Sequence, residues 1–499
     1  MNFIHESAIQ LKLPGMEGEI ELFDPVTVTF KGGQKEPFAR WYPYLEGYST
    51  QFVEAILEKY APNAQSILDP FAGTGTTAFT ASQLNKTAYF CEINPVLQFL
   101  SLTKIKIRQL SPPQRAALVQ ALTETKLSVK KLEKFSQDHS LHQTYQATFG
   151  DSLFFNAPVY DQVLRIRSYI DEVTLENPLL ANLITAAVLS ALVPASRMKR
   201  SGDLRYKTPK ELERQTVPFI EGTCQNIEQM IHDIRNDVDG LKTEPMLICE
   251  DARSLNNISP LNIDTVITSP PYVNGTNYFR NTKIELWFLR CLKEKKDLTR
   301  FRAAALTAGI NDVTVSKTPT LSHPDVQKIV SKLETHAYDS RIPRMIASYF
   351  SEITSIFKTI LPHLTPDATI AIDIGDSCYA GIHVPVDRLL SACLQDLGLK
   401  QIDHVPLRKR KSRGGMLLEQ SLLIFKHNSN QKKKLQKGNT FTGALVGISS
   451  NKIYPTRDHR LLNGIGDTLD THCVPTRANS NQLLHTIWYK HLFLKMDEF

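Results

Sequence analysis

Two short stretches combine residue types that can do chemistry together. The first, "DPFAGTGTT" (Asp69 to Thr77), is an acid, a proline and a glycine-rich turn placed directly after the apolar run "SIL". The second, "TSPPY" (Thr268 to Tyr272), puts a hydroxyl, two prolines and an aromatic ring directly after "IDTVI". Glycines at Gly73 and Gly75 suit a turn whose backbone must come close to a ligand, although a tight turn needing positive φ explains them as well. The turn lacks the lysine of a nucleotide-triphosphate loop and the third glycine of a dinucleotide fingerprint. Two adjacent prolines cannot continue a helix or donate to a sheet ladder. They set a rigid turn in which the Ser269 hydroxyl and the Pro270 carbonyl can accept the two hydrogens of an exocyclic amine. Tyr272 can stack on a planar base.

Two further acids stand at the ends of apolar runs. Glu92 closes "TAYFCE", where a carboxylate can accept both hydroxyls of a ribose. Asp251 follows "PMLICE", where it can accept from an exocyclic amine. A solvated strand-end acid is the plainer reading of each. Taken with the glycine turn, they suit a ligand with a ribose, an adenine and no phosphate, which is S-adenosylmethionine. Asp69 is then expected to face its charged sulfonium and amino end.

The elements that must position these residues follow from the spacing of apolar positions. Strands are predicted at "SILD", "TAYFC", "PMLIC", "IDTVIT" and "ATIAIDIG", with two closing strands at "QIDHVPL" and "SLLIFKH". Helices are predicted at "STQFVEAILEKY", capped by Ser49 or Thr50, from about Thr76, at "KIELWFLRCL" and at "VDRLLSACLQDLGL". Another places Ile346, Phe350, Ile353, Phe357 and Ile360 on one face. A further strand is expected at "PVTVTF". Strands alternating with helices imply an α/β fold around a parallel sheet, and in such sheets ligands sit at the carboxyl ends of the strands. Residues 105–243 read as a helical insertion and 276–344 as a second one, inside a domain of residues 1–427. Residues 428–499 read as a C-terminal extension of unknown fold.

The chain has 499 residues, 42% of them hydrophobic and 22% charged, with a net charge of +7. That balance suits a globular protein and is compatible with a polyanionic partner. Seven scattered cysteines form no C-x-x-C pair, which argues against a disulfide scaffold or a metal site and for a reducing cytoplasm. The most apolar run, Leu179 to Ala195, is interrupted by Asn182, Thr185 and Ser190 and reads as a buried helix rather than a membrane span. Four basic runs could grip phosphates: "SRMKRSGDLRYK", "KEKKDLTRFR", "RKRKSR" and "QKKKLQK". The first and third are expected in loops, and "NGTNYFRN" is expected to line the site. A solvated face accounts for each basic run equally well.

"DPFAGTGTT" followed by "TSPPY" resembles the amino-methylating DNA methyltransferases, specifically the cytosine-N4 type found among bacterial modification methylases. "YPYLEGYSTQFVEAIL", ahead of the glycine turn, is similar to that family's cofactor-proximal segment. The resemblance covers about residues 38–110 and 245–427. It implies a Rossmann-like S-adenosylmethionine-dependent methyltransferase sheet with a terminal antiparallel hairpin. It further implies a cofactor site at Asp69, Pro70, Phe71, Gly73, Gly75 and Glu92, with Asp251 beside it, and a catalytic motif at Ser269, Pro270, Pro271 and Tyr272. The implied partner is double-stranded DNA, with a cognate restriction endonuclease on the same site left open. Adenine-N6 or RNA methylation on the same scaffold, and a non-catalytic nucleic-acid-binding protein, remain as alternatives.

Overall fold

The computed structural model describes Phe23 and residues 26–427, apart from residues 34, 45–46, 215–216, 275–276, 314–322 and 413. The expected C-terminal extension, the run "QKKKLQK", Arg413 and Cys473 lie outside the described residues.

The central sheet has seven strands: β1 (Ser66–Asp69), β2 (Thr87–Cys91), β3 (Met246–Cys249), β4 (Ile263–Thr268), β5 (Leu364–Gly375), β6 (Leu399–Lys411) and β7 (Leu417–His427). Their spatial order is β6-β7-β5-β4-β1-β2-β3. β1 to β5 run parallel, while β7 is antiparallel to both β5 and β6. The strand order reverses between β1 and β4, and a crevice opens at such a switch point. The sheet is therefore of the α/β Rossmann-like type, with a closing antiparallel hairpin.

β1 is apolar without alternation because both of its faces are covered; Ile67 and Leu68 are 1% and 0% exposed. On one face lies the helix Arg341–Ile360, with Ile346, Phe350, Ile353, Phe357 and Ile360 all buried as their spacing predicts. On the other lies the helix Thr50–Tyr60, contributing Phe52, Val53, Ile56 and Leu57. Burying each such side chain contributes about 1.5–3 kcal/mol. Ser49 is the cap of this second helix, accepting from the Phe52 amide at 3.3 Å.

Residues 105–243 carry the helices Pro112–Val129, His139–Phe149, Ala157–Glu176, Pro178–Ala195 and Phe219–Asn236, together with the hairpin Met198–Tyr206. The helix Pro178–Ala195 is long and apolar enough to cross a membrane, but here it is a core helix with Leu183, Ile184, Leu189 and Leu192 fully buried. Asp233 on Phe219–Asn236 accepts from the Phe38 amide at 3.0 Å, Trp41 Nε1 at 2.9 Å and Arg40 Nε at 3.0 Å. The insertion is thereby bonded to the segment that precedes the glycine turn.

Three expectations differ from the structure. "PVTVTF" is not a strand: Val26 to Thr29 form a turn, whose Thr27 carbonyl accepts from the amide and hydroxyl of Ser49. The helix at "KIELWFLRCL" stops at Phe288, and the polar stretch after it contains the helices Lys295–Ala304 and Pro324–His336. The basic runs expected in loops lie mostly on strands. Arg408 to Lys411 are the end of β6, because they continue the ladder with β7, and Met198–Tyr206 is a hairpin.

Candidate functional site

The glycine turn leaves β1 through Asp69, which is 2% exposed. Its Oδ1 accepts from the Phe71 amide at 3.0 Å and from the Thr268 hydroxyl at 2.7 Å. Its Oδ2 accepts from the Tyr48 hydroxyl at 3.3 Å. Burial pushes the Asp69 carboxyl up to about 6. Asp69 thus ties the turn after β1 to the end of β4. Its expected approach to a ligand is replaced by these three bonds, and it does not line the cavity described below.

Gly73 and Gly75 both have positive φ, +57° and +89°, which side-chain-bearing residues rarely adopt. A Cβ at Gly73 would lie 3.0 Å from the Tyr44 ring, and one at Gly75 would lie 2.8 Å from Phe79. The Gly73 amide donates to Glu92 Oε2 at 2.7 Å, and the Asn94 amide donates to Oε1 at 2.7 Å. Burial pushes Glu92 up to about 7 against these bonds. The turn is therefore clamped onto the acid at the end of β2. A carboxylate offers about four lone-pair positions, so these bonds do not exhaust the acceptor capacity of Glu92.

A cavity of about 710 Å³ opens along the carboxyl ends of these strands. Pro70, Phe71, Glu92 and Asp251 line it from β1, β2 and β3, and Ser269, Pro270, Pro271 and Tyr272 line it from the end of β4. Eight of the eleven residues expected at the site meet here; Asp69, Gly73 and Gly75 stand behind the wall and shape it. The volume lies within the roughly 300–1,000 Å³ usual for small-molecule sites. Asp251 is engaged with Arg253 through both oxygens, at 2.9 Å and 2.7 Å. A ligand amine there would compete with a guanidinium, so Glu92 is the better-placed acceptor for a cofactor.

Spacing alone did not reveal Asp373, the acid at the centre of the second half of the site. It lies in β5, is 3% exposed, and is pushed up to about 6 by burial. Its Oδ2 accepts from Ser269 Oγ at 3.2 Å and from the Tyr272 hydroxyl at 2.9 Å. Its Oδ1 accepts from Gln420 Nε2 at 2.7 Å. The signal was present as a single acid inside the apolar run "ATIAIDIG". The Tyr272 ring lies against Gly375, where a Cβ would come within 3.0 Å of it. Ser377 and Tyr379 hold the Val273 carbonyl at 2.6 Å and 3.0 Å and fix the far side of the turn.

Within "NGTNYFRN", Asn274, Tyr278 and Phe279 line the cavity, while Asn277 and Asn281 are buried and bonded within the fold. Among the basic runs, Arg408, Lys409 and Arg410 reach the cavity rim. The first run is used internally: Arg200 pairs with Glu285, Lys199 and Arg205 pair with Glu211, and Lys207 donates to the Pro194 and Ser196 carbonyls.

The N6/N4 DNA methylase family model matches residues 41–100, which run from Trp41 through the glycine turn and Glu92. The type II methyltransferase M.BsoBI of Geobacillus stearothermophilus is 24% identical over 82% of this chain and 87% of its own length. The type II methyltransferase M.AvaI of Nostoc sp. is 24% identical over 74% of this chain and 81% of its own. The rRNA methyltransferase aviRa of Streptomyces viridochromogenes aligns with 77% of the chain and 87% of its own at 8% identity, with a TM-score of 0.27. The matched segment holds the strand ends that shape one half of the cavity, and the similarity to both type II methyltransferases extends across most of the chain.

Proposed function

We propose that this chain transfers a methyl group from S-adenosylmethionine to the exocyclic N4 of cytosine in duplex DNA. The observation that carries the reading is the bond from Ser269 Oγ to Asp373. A serine that gives its proton to a buried carboxylate keeps its lone pairs for an incoming amine. In the first position of this motif a hydroxyl, shorter than the Asp or Asn of adenine-type relatives, suits the smaller ring.

The residues present fit the cofactor. Glu92 has acceptor capacity for ribose hydroxyls, Phe71 offers an apolar wall, and Pro70 holds the turn rigid. When bound, S-adenosylmethionine supplies a methyl group attached to a positively charged sulfur. The target amine is paired inside the duplex, so the base must leave the stack to reach Ser269. Tyr272 then supplies a ring face, and Ser269 with the Pro270 carbonyl orients N4. Most of the rate gain on this reading comes from orientation. Lys409 and Arg410, at the rim, supply phosphate contacts. No cysteine takes part. The setting this implies is the cytoplasm, where a restriction endonuclease reading the same site is the natural companion.

The test is nucleoside analysis of DNA from cells expressing the protein and its Ser269→Ala variant. N4-methylcytosine in the first sample and not in the second supports the reading. N6-methyladenine without N4-methylcytosine overturns the base assignment, and methylated RNA with unmodified DNA overturns the substrate.

A further inference from the structure

The hydrogen-bond chain behind Ser269 extends past Asp373. Gln420 Nε2 donates to Asp373 Oδ1 at 2.7 Å, and Arg408 Nε donates to Gln420 Oε1 at 2.5 Å. Arg408 and Gln420 face each other across the β6–β7 ladder, and Gln420 is 5% exposed. The orientation of the Gln420 amide follows from chemistry. A guanidinium only donates, so the amide oxygen must face Arg408. An ionised carboxylate only accepts, so the amide nitrogen must face Asp373.

We infer that Gln420 is a positioning residue for methyl transfer: held by Arg408, it occupies Asp373 Oδ1 and so leaves Oδ2 to take the protons of Ser269 and Tyr272. This rests on the proposed function above. Ser269 then meets the target amine as an acceptor. If Asp373 carries a proton, that proton cannot face the Gln420 N–H and sits on Oδ2. It is donated to a hydroxyl, and Ser269 can then turn its own hydrogen toward the amine. One wiring accepts the amine and the other opposes it.

The titratable and charged groups facing Asp373 are Tyr272 from the turn after β4, Tyr48 from ahead of the helix Thr50–Tyr60, and Arg408 from β6. Burial raises the Asp373 carboxyl, while the bonds from Gln420, Tyr272 and Ser269 and the charge of Arg408 lower it. Without the Gln420 amide, the carboxyl holds its proton to higher pH.

The experiment compares the wild type with Gln420→Met and Gln420→Glu. Calorimetry with S-adenosylmethionine first checks that each is folded. Single-turnover methylation of duplex DNA is then measured from pH 5 to 9. The acid limb of the rate is expected to move up by about one pH unit in Gln420→Met, the scale on which one hydrogen bond acts on a carboxylate. It moves further in Gln420→Glu, which sets a second negative charge beside Asp373. A parallel NMR titration of carboxyl-labelled aspartate, with Asp373 assigned through Asp373→Asn, reads the same shift without any turnover. Identical acid limbs and an unmoved Asp373 titration in both variants overturn the inference, whatever happens to the rate. If the wild type methylates no DNA, the functional reading fails, and the NMR titration still decides the wiring.

Discussion

Thr268 gives its hydroxyl proton to Asp69 across 2.7 Å, joining the last residue of β4 to the last residue of β1. The Ser269–Tyr272 turn begins one residue after Thr268 and the glycine turn one residue after Asp69, so this bond ties together the starts of the two turns beside the cavity. Thr268→Val keeps the shape and removes the donor. It is expected to destabilise by about 1–3 kcal/mol, because a buried carboxylate loses a partner. Cofactor affinity and methylation rate are expected to fall together. Denaturant unfolding with calorimetry checks both, and an unchanged Asp69 environment with full activity would sink the strut.

Gly73→Ala tests the glycine turn. The residue has φ +57°, and its Cβ would press on the Tyr44 ring at 3.0 Å. The left-handed backbone alone costs about 1–2 kcal/mol. Affinity for S-adenosylmethionine is expected to drop, since the Gly73 amide must move off Glu92. Gly73→Val, with a branched side chain at the same point, should do more damage. Unchanged cofactor binding by calorimetry would make the turn purely structural.

Ser269→Ala is expected to leave cofactor binding intact and slow methyl transfer by about 100-fold or more, the usual scale for losing one positioned hydrogen-bonding group. Tyr272→Phe keeps the ring and removes its bond to Asp373, and the expected loss is smaller. Single-turnover rates at saturating cofactor separate the two. A larger loss for Tyr272→Phe than for Ser269→Ala would reverse the assigned roles.

Stability should depend on pH in a defined direction. Asp69, Glu92 and Asp373 are pushed up to about 6, 7 and 6 by burial. Between the ordinary carboxylate range near 4 and these values, the folded state binds protons that the unfolded chain has released. Their contribution is therefore largest at low pH and falls as pH rises through 6 to 7. Asp69→Asn should flatten the wild-type decline in melting temperature between about pH 4 and 7. A slope equal to that of the wild type would show that Asp69 does not titrate there.

Lys409→Glu with Lys411→Glu tests the grip on phosphates without touching the Arg408–Gln420 pair. Binding to all DNA sequences is expected to weaken, and the salt dependence of log K to flatten by about one for each phosphate no longer neutralised. Titrations of unrelated duplexes at several salt concentrations read this directly. An unmoved slope would leave these lysines as a solvated edge.

The sheet and one half of the site were legible because local chemistry dictated them. "SILD" and "IDTVIT" read as buried strands because they are short apolar runs bounded by turn residues, and "TSPPY" reads as a rigid turn because its two prolines cannot continue a ladder or a helix. Asp373 was not, because an acid inside "ATIAIDIG" gains its partner Gln420 only when β7 brings it from 47 residues away. Arg200 looked like a phosphate ligand for the same reason in reverse. Its partners Glu285 and Tyr42 are far off in the chain, and their burial around it is a tertiary event. "PVTVTF" had strand-forming residues, but its Thr27 carbonyl is taken by Ser49 and its Val26 carbonyl by Thr29 rather than by a ladder.

The Asp233 clamp bears on the order in which the chain can assemble. Phe38, Arg40 and Trp41 leave the ribosome early, yet their acceptor is made almost two hundred residues later. Until the helix Phe219–Asn236 has emerged, their donors have only water to meet, and the neighbouring Tyr44 has no anchored segment to hold it against Gly73. A nascent chain ending before residue 233 is therefore expected to keep this N-terminal segment open to protease. Domains generally fold from the N-terminus during synthesis; here the first wall of the cavity waits for a helix made almost two hundred residues downstream.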